Sequence, residues 1–466
     1  SALVPIDANL VDEVWEDRPP APAQPIYALP DEVTGRSVGG KLAAIRSEMT
    51  EVGAGALIVT KLDEIAWITN LRGSDIAYNP VFESYLVIES DQATCFTRAA
   101  PSTGLRQELA PDIGFQPYEA YPEAVGQLHA LSGQAVWLDP DGTTMGTRLL
   151  LPETANVHEG RNPVVAMKAE KNDAEVASMR RAHLHAAAAK IRSLSRLEQL
   201  LAAGHGVSER GYSEMLHEEY SSEEGFSDLS FTTIAAAGAN GAIVHYSQAS
   251  DDVLLTDGDL FLVDSGVQVL GGTTDDTRTV VVGSGSDRQR RLYTLVLRCH
   301  IQLARQKFPE GTSGAALDAV ARSLMWNAGL DYGHGTGHGV GAFLNVHEGP
   351  QRLSPSGSGE PLKPGMVVSN EPGYYEEGWG GIRLENLYVV VRDDDMPPHP
   401  SGKGWLRFEP LTLIPFDRRL IDREQLSNVE AGWLDAYHER VLQTMEPMLA
   451  SDHRDWLREA CAATAQ

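Results

Sequence analysis

Cysteine is nearly absent from this chain. Cys95, Cys299 and Cys461 stand far apart among 466 residues, which excludes a disulfide framework and any cysteine-based metal motif. They read as isolated thiols and fit a reducing, cytoplasmic compartment. Long apolar runs are lacking too: no stretch approaches the roughly 20 residues that cross a bilayer. Residues 1–5, Ser-Ala-Leu-Val-Pro, have no basic flank and open no apolar segment, so no signal peptide is read there. The missing Met predicts a processed, tagged or truncated chain. Positive charge is scarce. Against 65 Asp and Glu stand 38 Lys and Arg, a net charge of −27, and such a surface repels nucleic acid and anionic membranes. The acidity fits plain solubility, a salty cytoplasm, or carboxylates that bind cations; only the positions of the acids separate these.

What is present is ordinary for a soluble globular protein, with 42% hydrophobic and 22% charged residues. The length exceeds what one core usually serves and predicts two domains. Pro19, Pro20, Pro22, Pro25 and Pro30 mark an extended connector. A helix is predicted over 41–49, with Leu42, Ile45 and Met49 on one face. A strand over 56–60, a short helix over 62–68 and strands over 85–88 and 136–138 follow, as in a compact α/β domain ending near residue 165. Beyond it lies the longest helical pattern, alanine-rich, over 172–197, and further helices are predicted over 207–223, 287–306 and 314–327. Strand-like runs over 260–263, 279–282, 366–368 and 387–391 complete an α+β second domain. Residues 354–359, Ser-Pro-Ser-Gly-Ser-Gly, are low in complexity and read as a loop tip.

Four stretches of the second domain concentrate metal-competent side chains. Asp264-Ser265-Gly266 closes a strand and is followed by Asp275-Asp276; the eleven positions between Asp264 and Asp275 suit neighbouring strands joined by a turn through Gly271-Gly272. Next come His334-Gly-Thr-Gly-His338-Gly-Val-Gly341 and His347-Glu348, then Asn370-Glu371-Pro372-Gly373, then Arg383-Leu384-Glu385. Taken singly, each has a structural explanation. An acid at a strand end or before Pro-Gly is commonly a turn residue. The glycine-rich run does not have the spacing of a dinucleotide fingerprint. His334 and His338 are four apart, as zinc ligands on a helix would be, but the glycines disfavour a helix there.

As an ordered set, these stretches resemble the pita-bread metallopeptidases, the family of methionine aminopeptidase, prolidase and aminopeptidase P. The resemblance implies an α+β pita-bread catalytic domain preceded by a creatinase-like α/β domain. It implies five metal ligands, with Asp264 on one ion, His338 and Glu371 on the other, and Asp275 and Glu385 bridging the two. Four converging carboxylates repel one another, and two divalent cations offset their charge. Carboxylates with one imidazole favour harder metals, so Mn2+ is expected first, with Co2+ or Zn2+ also fitting. The implied reaction is attack on a peptide carbonyl by a hydroxide bridging both ions. Glu371 matches the family's proton acceptor, while His245 and His347 match its catalytic histidines, a role for which a pKa near working pH is suited. His334, Tyr375 and Arg383 match substrate-pocket or ligand-orienting positions.

The flanking segments Leu10-Val-Asp-Glu-Val-Trp15, Trp67-Ile-Thr-Asn70-Leu-Arg72-Gly73-Ser74-Asp75 and Glu409-Pro-Leu-Thr-Leu413 are most similar to the cytosolic, eukaryotic-type aminopeptidase P subgroup. Members carry two creatinase-like domains, of which only the second is recognisable here. The expected division is 1–24 as linker from a missing first domain, 25–165 as creatinase-like domain and 166–466 as catalytic domain with a C-terminal extension. The implied substrates are peptides with proline in second position, and the implied assembly is a homodimer. Two rival readings are a prolidase, restricted to Xaa-Pro dipeptides, and a non-catalytic peptide- or protein-binding module of the same fold. Modules of the second kind typically lose metal ligands, and all five are present here.

Overall fold

The computed structural model describes residues 6, 9–128, 133–357 and 359–462. Residues 1–5, read above for a signal peptide, and Ser358 in the low-complexity run lie outside the described residues. The proline-rich connector forms no helix or strand over 15–26, and before it only a one-turn helix, Leu10–Val14, with no buried residue.

A six-stranded mixed sheet organises the N-terminal part. Its strands are β1 (Ala54–Val59), β2 (Ser84–Glu89), β3 (Ala93–Thr97), β4 (Gly114–Pro117), β5 (Ala135–Leu138) and β6 (Val157–Glu159), in the order β4-β3-β2-β1-β5-β6. All six residues of β1 are buried because both faces of the sheet are covered. Leu57 and Val59 pack with Leu42, Ile45 and Met49 of helix α1 (Val38–Glu51), while Ala56 and Ile58 pack on the other side with Tyr121 and Val125. The Ser37 side chain accepts from Gly40 N and starts α1. Helix α2 (Leu62–Thr69) contributes Ile65 and Ile68 to the same core as α1.

Helix α3 (Pro163–Ala169) leads into α4 (Asp173–Ala202), which opens with a full capping box between Asn172 and Glu175. Small side chains let strands lie directly on α4: a Cβ at Gly272 would stand 2.5 Å from the Ala182 methyl. Beyond α4, three strands are paired in the order β7-β8-β9: β7 (Ile234–Ala237), β8 (Leu260–Ser265) and β9 (Asp276–Val281). A six-stranded sheet contains β10 (Gly337–Gly339), β11 (Glu348–Leu353), β12 (Val367–Asn370) and, next to β12, Asn386–Arg392. A two-stranded ribbon pairs Gly373–Glu376 with Gly380–Arg383. Long helices, among them α4 and Asp287–Ala304, bury their apolar faces against these strands.

The predicted hairpin between Asp264 and Asp275 is present. Gly271, at φ +84°, and Gly272 turn the chain between Val267–Val269 and Gly272–Thr273, and Asp264 then faces Thr277 across the β8–β9 ladder.

The two halves are joined by buried polar contacts as well as by packing. Arg72 Nε donates to Phe343 O at 2.7 Å. Glu348, at the start of β11, accepts from Lys168 and Lys171 at 2.5 Å each, and Lys168 also pairs with Asp63 of α2 at 2.8 Å. The segment 342–348 is therefore held by Arg72 and, through Lys168, by Asp63 of the N-terminal part, just where it carries His347.

Candidate metal centre

Strand ends deliver the five predicted ligands to one place. Asp264 lies near the end of β8, Asp275 immediately before β9, His338 in β10, Glu371 directly after β12, and Glu385 between the ribbon and the next strand. Potential ligand atoms of Asp264, Asp275 and Glu385 lie within 4.8 Å of one another, and so do those of His338, Glu371 and Glu385. These are two triads of ion-holding size that share Glu385. A third such group, Asp275, His338 and His347, overlaps both and brings His347 to the edge of the cluster.

Glycine makes the convergence possible. A Cβ at Gly337 would stand 1.9 Å from Ser369 O, so any larger residue would push apart the strands bearing His338 and Glu371. The Ser369 hydroxyl ties the same two residues together, accepting from His338 N at 2.9 Å and donating to Glu371 Oε1 at 3.1 Å. The glycines around His338 thus serve close strand packing.

The donors are arranged for cations. His338 Nδ1 is 2.9 Å from Gly339 O, and a carbonyl can only accept, so Nδ1 carries the proton. In the neutral ring, the form that can bind a metal, Nε2 then presents a lone pair to Asp275 Oδ2 at 3.4 Å and Glu371 Oε1 at 3.5 Å. A lone pair facing two carboxylates is repulsive unless a cation lies among them. Asp264 Oδ1 and Glu385 Oε1 are buried with no hydrogen-bond partner, a costly state that coordination would relieve. Burial, and then the charges of the neighbouring acids, push both Asp275 and Glu385 well above the usual carboxylate range. The cluster thus fits two divalent cations, which would restore the ionised forms.

Around the cluster runs a cleft of about 860 Å³ lined by the four acids and the imidazole of the cluster together with His245, His334, His347 and Arg383. Arg383 Nη2 donates to Asp264 Oδ2 at 2.7 Å and Nη1 to Tyr375 OH at 2.9 Å; that phenol oxygen is 2.8 Å from His334 Nε2. Burial alone would lower the Arg383 pKa, but Tyr375 and Asp264 more than offset this and hold it well above the ordinary value. Partial desolvation within the cleft, with His338 adding to the effect, lowers His347 to about 4 although the residue stays exposed, and burial also lowers His334. His245 and His347 both line the cleft as exposed residues. Every residue singled out from sequence therefore reaches the cluster or its immediate surroundings.

Sequence reading did not single out Tyr78, Asn79, Ser230, Phe231, Thr232 or Arg352, which also line the cleft. Tyr78 and Asn79 lie three and four positions beyond Asp75, where the quoted segment ends, and that proximity was their signal in the sequence.

Comparison with known proteins agrees with this geometry. A model described as metallopeptidase family M24 matches residues 177–392, one for a creatinase/prolidase N-terminal domain matches 17–175, and one for the C-terminal region of peptidase M24 matches 404–464. A probable Xaa-Pro aminopeptidase P of Laccaria bicolor is 41% identical over 99% of this chain and 73% of its own length. Aminopeptidase P2 of Arabidopsis thaliana is 39% identical over 97% of this chain and 68% of its own. Among solved structures, an X-prolyl aminopeptidase from Caenorhabditis elegans, described as a cytosolic enzyme with a di-nuclear active site, superposes with a TM-score of 0.93. It is 34% identical, over 99% of this chain and 76% of that one. The Xaa-Pro dipeptidase from Bacillus anthracis superposes at 0.64 with 25% identity, over 82% and 99%. The architecture is a creatinase-type N-terminal domain followed by a pita-bread catalytic domain. By the length and level of this similarity, together with the clustered acids, the chain belongs to metallopeptidase family M24.

Proposed function

We propose that this chain is a metal-dependent aminopeptidase that hydrolyses the bond between an N-terminal residue and a following proline. One observation carries the reading. Two ligand triads sharing Glu385 open onto a single cleft in a chain that is alike, over 99% of its length, to an X-prolyl aminopeptidase. The family and its di-nuclear relative imply two divalent metal ions; manganese is proposed for its preference for oxygen-rich ligand sets. We assign Asp264 to one ion, His338 and Glu371 to the other, and Asp275 and Glu385 to both, within a catalytic unit spanning 166–466. Cytoplasmic residence is supported by three free cysteines, and among the described residues no helix is long and apolar enough to cross a membrane. The family resemblance implies a homodimer, which sedimentation would test.

When bound, the two cations supply Lewis acidity, acidifying water and polarising a carbonyl. The chain's own residues do the rest. Glu371 accepts the proton that water gives up. His245 and His347 stand at the cleft side of the cluster, where an imidazole N–H can hold the oxygen of the attacked carbonyl. Arg383 fixes Asp264 and, with His334, fixes the Tyr375 phenol, so that the pocket wall and the ligand are oriented together.

The test is metal-stripped protein reconstituted with Mn2+ and given an Xaa-Pro-Xaa peptide and an Xaa-Pro dipeptide in parallel. Cleavage of the longer peptide supports the aminopeptidase. Preference for the dipeptide makes it a prolidase, and no turnover with metal bound makes it a binding module.

A further inference from the structure

The N-terminal domain reaches into the cleft at one point, and the backbone there is strained. Ile76 and Asn79 form an isolated antiparallel bridge around a two-residue turn, Ala77-Tyr78. Tyr78 adopts φ +68°, a left-handed conformation that favours glycine and that a bulky side chain rarely takes. Such strain persists only where the surroundings hold it and often marks a working position. Three contacts from the catalytic domain hold this one. Tyr78 N donates to Asp228 Oδ2 at 3.1 Å, Gln268 Nε2 donates to Tyr78 O at 3.0 Å, and Thr232 Oγ1 donates to the Tyr78 phenol at 3.0 Å. From the N-terminal side, Asp75 steadies the approach by accepting from Gln24 N and Glu83 N.

The held residue lines the same cleft as the ligand cluster, beside Asn79, Phe231 and Thr232. Thr232 is exposed and marks the rim, and two residues further in, Ile234 faces Asp264 across the β7–β8 ladder. The wall from the phenol to the metal ligands is thus one short strand long. Because Thr232 donates to the phenol oxygen, the phenol proton is free to be given to another acceptor. In a cleft that takes an extended peptide, that acceptor is a main-chain carbonyl.

We propose that Tyr78 is a substrate-binding residue supplied by the N-terminal domain, donating its phenol proton to the peptide main chain at the rim of the cleft. The inference rests on the aminopeptidase reading, because it needs a peptide in the cleft. It gives the N-terminal domain a direct part in recognition. Because the contact is to the main chain, it serves peptides of different first residue alike.

Two variants test it. Tyr78→Phe keeps the ring and removes only the donor. Tyr78→Gly removes the side chain while relieving the left-handed strain, so the turn survives. For Mn2+-loaded enzyme, Tyr78→Phe is expected to raise KM about threefold to tenfold, as loss of one neutral hydrogen bond does. The rise should be similar for peptides with alanine, leucine or phenylalanine before proline, with kcat within about twofold and metal content unchanged; Tyr78→Gly should raise KM at least as far. Calorimetric titration of the metal-free proteins with Ala-Pro-Ala reads the same weakening without turnover. Wild-type KM and affinity in both variants would overturn the proposal, as would loss of kcat together with bound metal, which marks a purely structural role. A wild-type enzyme that binds metal but cleaves no peptide would instead defeat the aminopeptidase reading, leaving the calorimetric comparison to decide the role of Tyr78.

Discussion

Arg383 and Asp264 form a buried pair, with Nη2 2.7 Å from Oδ2, and the free oxygen of Asp264, Oδ1, is left without a partner. One face of the carboxylate is thereby fixed and the other is presented to the cluster. Arg383→Lys replaces a planar fork by a single ammonium and cannot reproduce the contacts to Asp264, Tyr375 and Thr277 together. Its affinity for Mn2+, measured by calorimetry, is expected to fall about 10- to 100-fold, the usual effect of losing a ligand's orienting partner.

Gly337→Ala is expected to damage metal binding more than folding. The new methyl meets Ser369 O, so β10 and β12 must separate by an ångström or more. Overpacking of this kind costs about 1–3 kcal/mol, which denaturant titration would read. The displacement falls on His338 and Glu371, so bound metal per chain, measured by emission spectrometry after dialysis, should drop sharply even in the folded fraction.

Glu348→Gln removes the anion between two buried lysines. Lys168 keeps Asp63, but Lys171 loses the carboxylate it touches. Stranding a buried charge costs about 3–5 kcal/mol, visible as a lower denaturant midpoint. Adding Lys171→Met should recover much of the loss, because the unpaired charge is then gone as well.

Lys41 gives stability a pH dependence of definite sign. Its ammonium donates to Trp67 O and Asn70 Oδ1 and lies 4.1 Å from the Trp67 ring centroid. Burial is the main cause lowering its pKa from 10.5 to about 7, against the opposing pull of Glu175. Below pH 7 both folded and unfolded chains hold the proton, and the group adds no slope. Between 7 and 10.5 the unfolded chain binds more, so stability rises with pH. Relative to Lys41→Met, the wild type should therefore gain stability from pH 7 to pH 10 in denaturant titrations. A constant difference would contradict the assignment.

Much of this was legible in the sequence, for identifiable reasons. The turn at Gly271-Gly272 and the strands it joins carry their own local signals, and Leu42, Ile45 and Met49 show the period of the helix they form. The five ligands were legible only as an ordered set that resembles the family's, since each taken singly also reads as a turn or strand-end residue. Lys168, Lys171 and Lys190 were not, since a lysine reads as solvated until partners distant in sequence, Glu348 and Asp276, are seen beside it. Tyr78 was equally hidden: its place in the cleft depends on how a turn near residue 77 docks on Asp228, Thr232 and Gln268, more than 140 positions away.

The most direct measurement is anomalous diffraction from crystals of the wild-type protein loaded with Mn2+. Two peaks are predicted, one among Asp264, Asp275 and Glu385 and one among His338, Glu371 and Glu385, with both lost in Asp275→Ala along with peptide turnover. A single peak elsewhere, or none with activity retained, would contradict a two-ion centre.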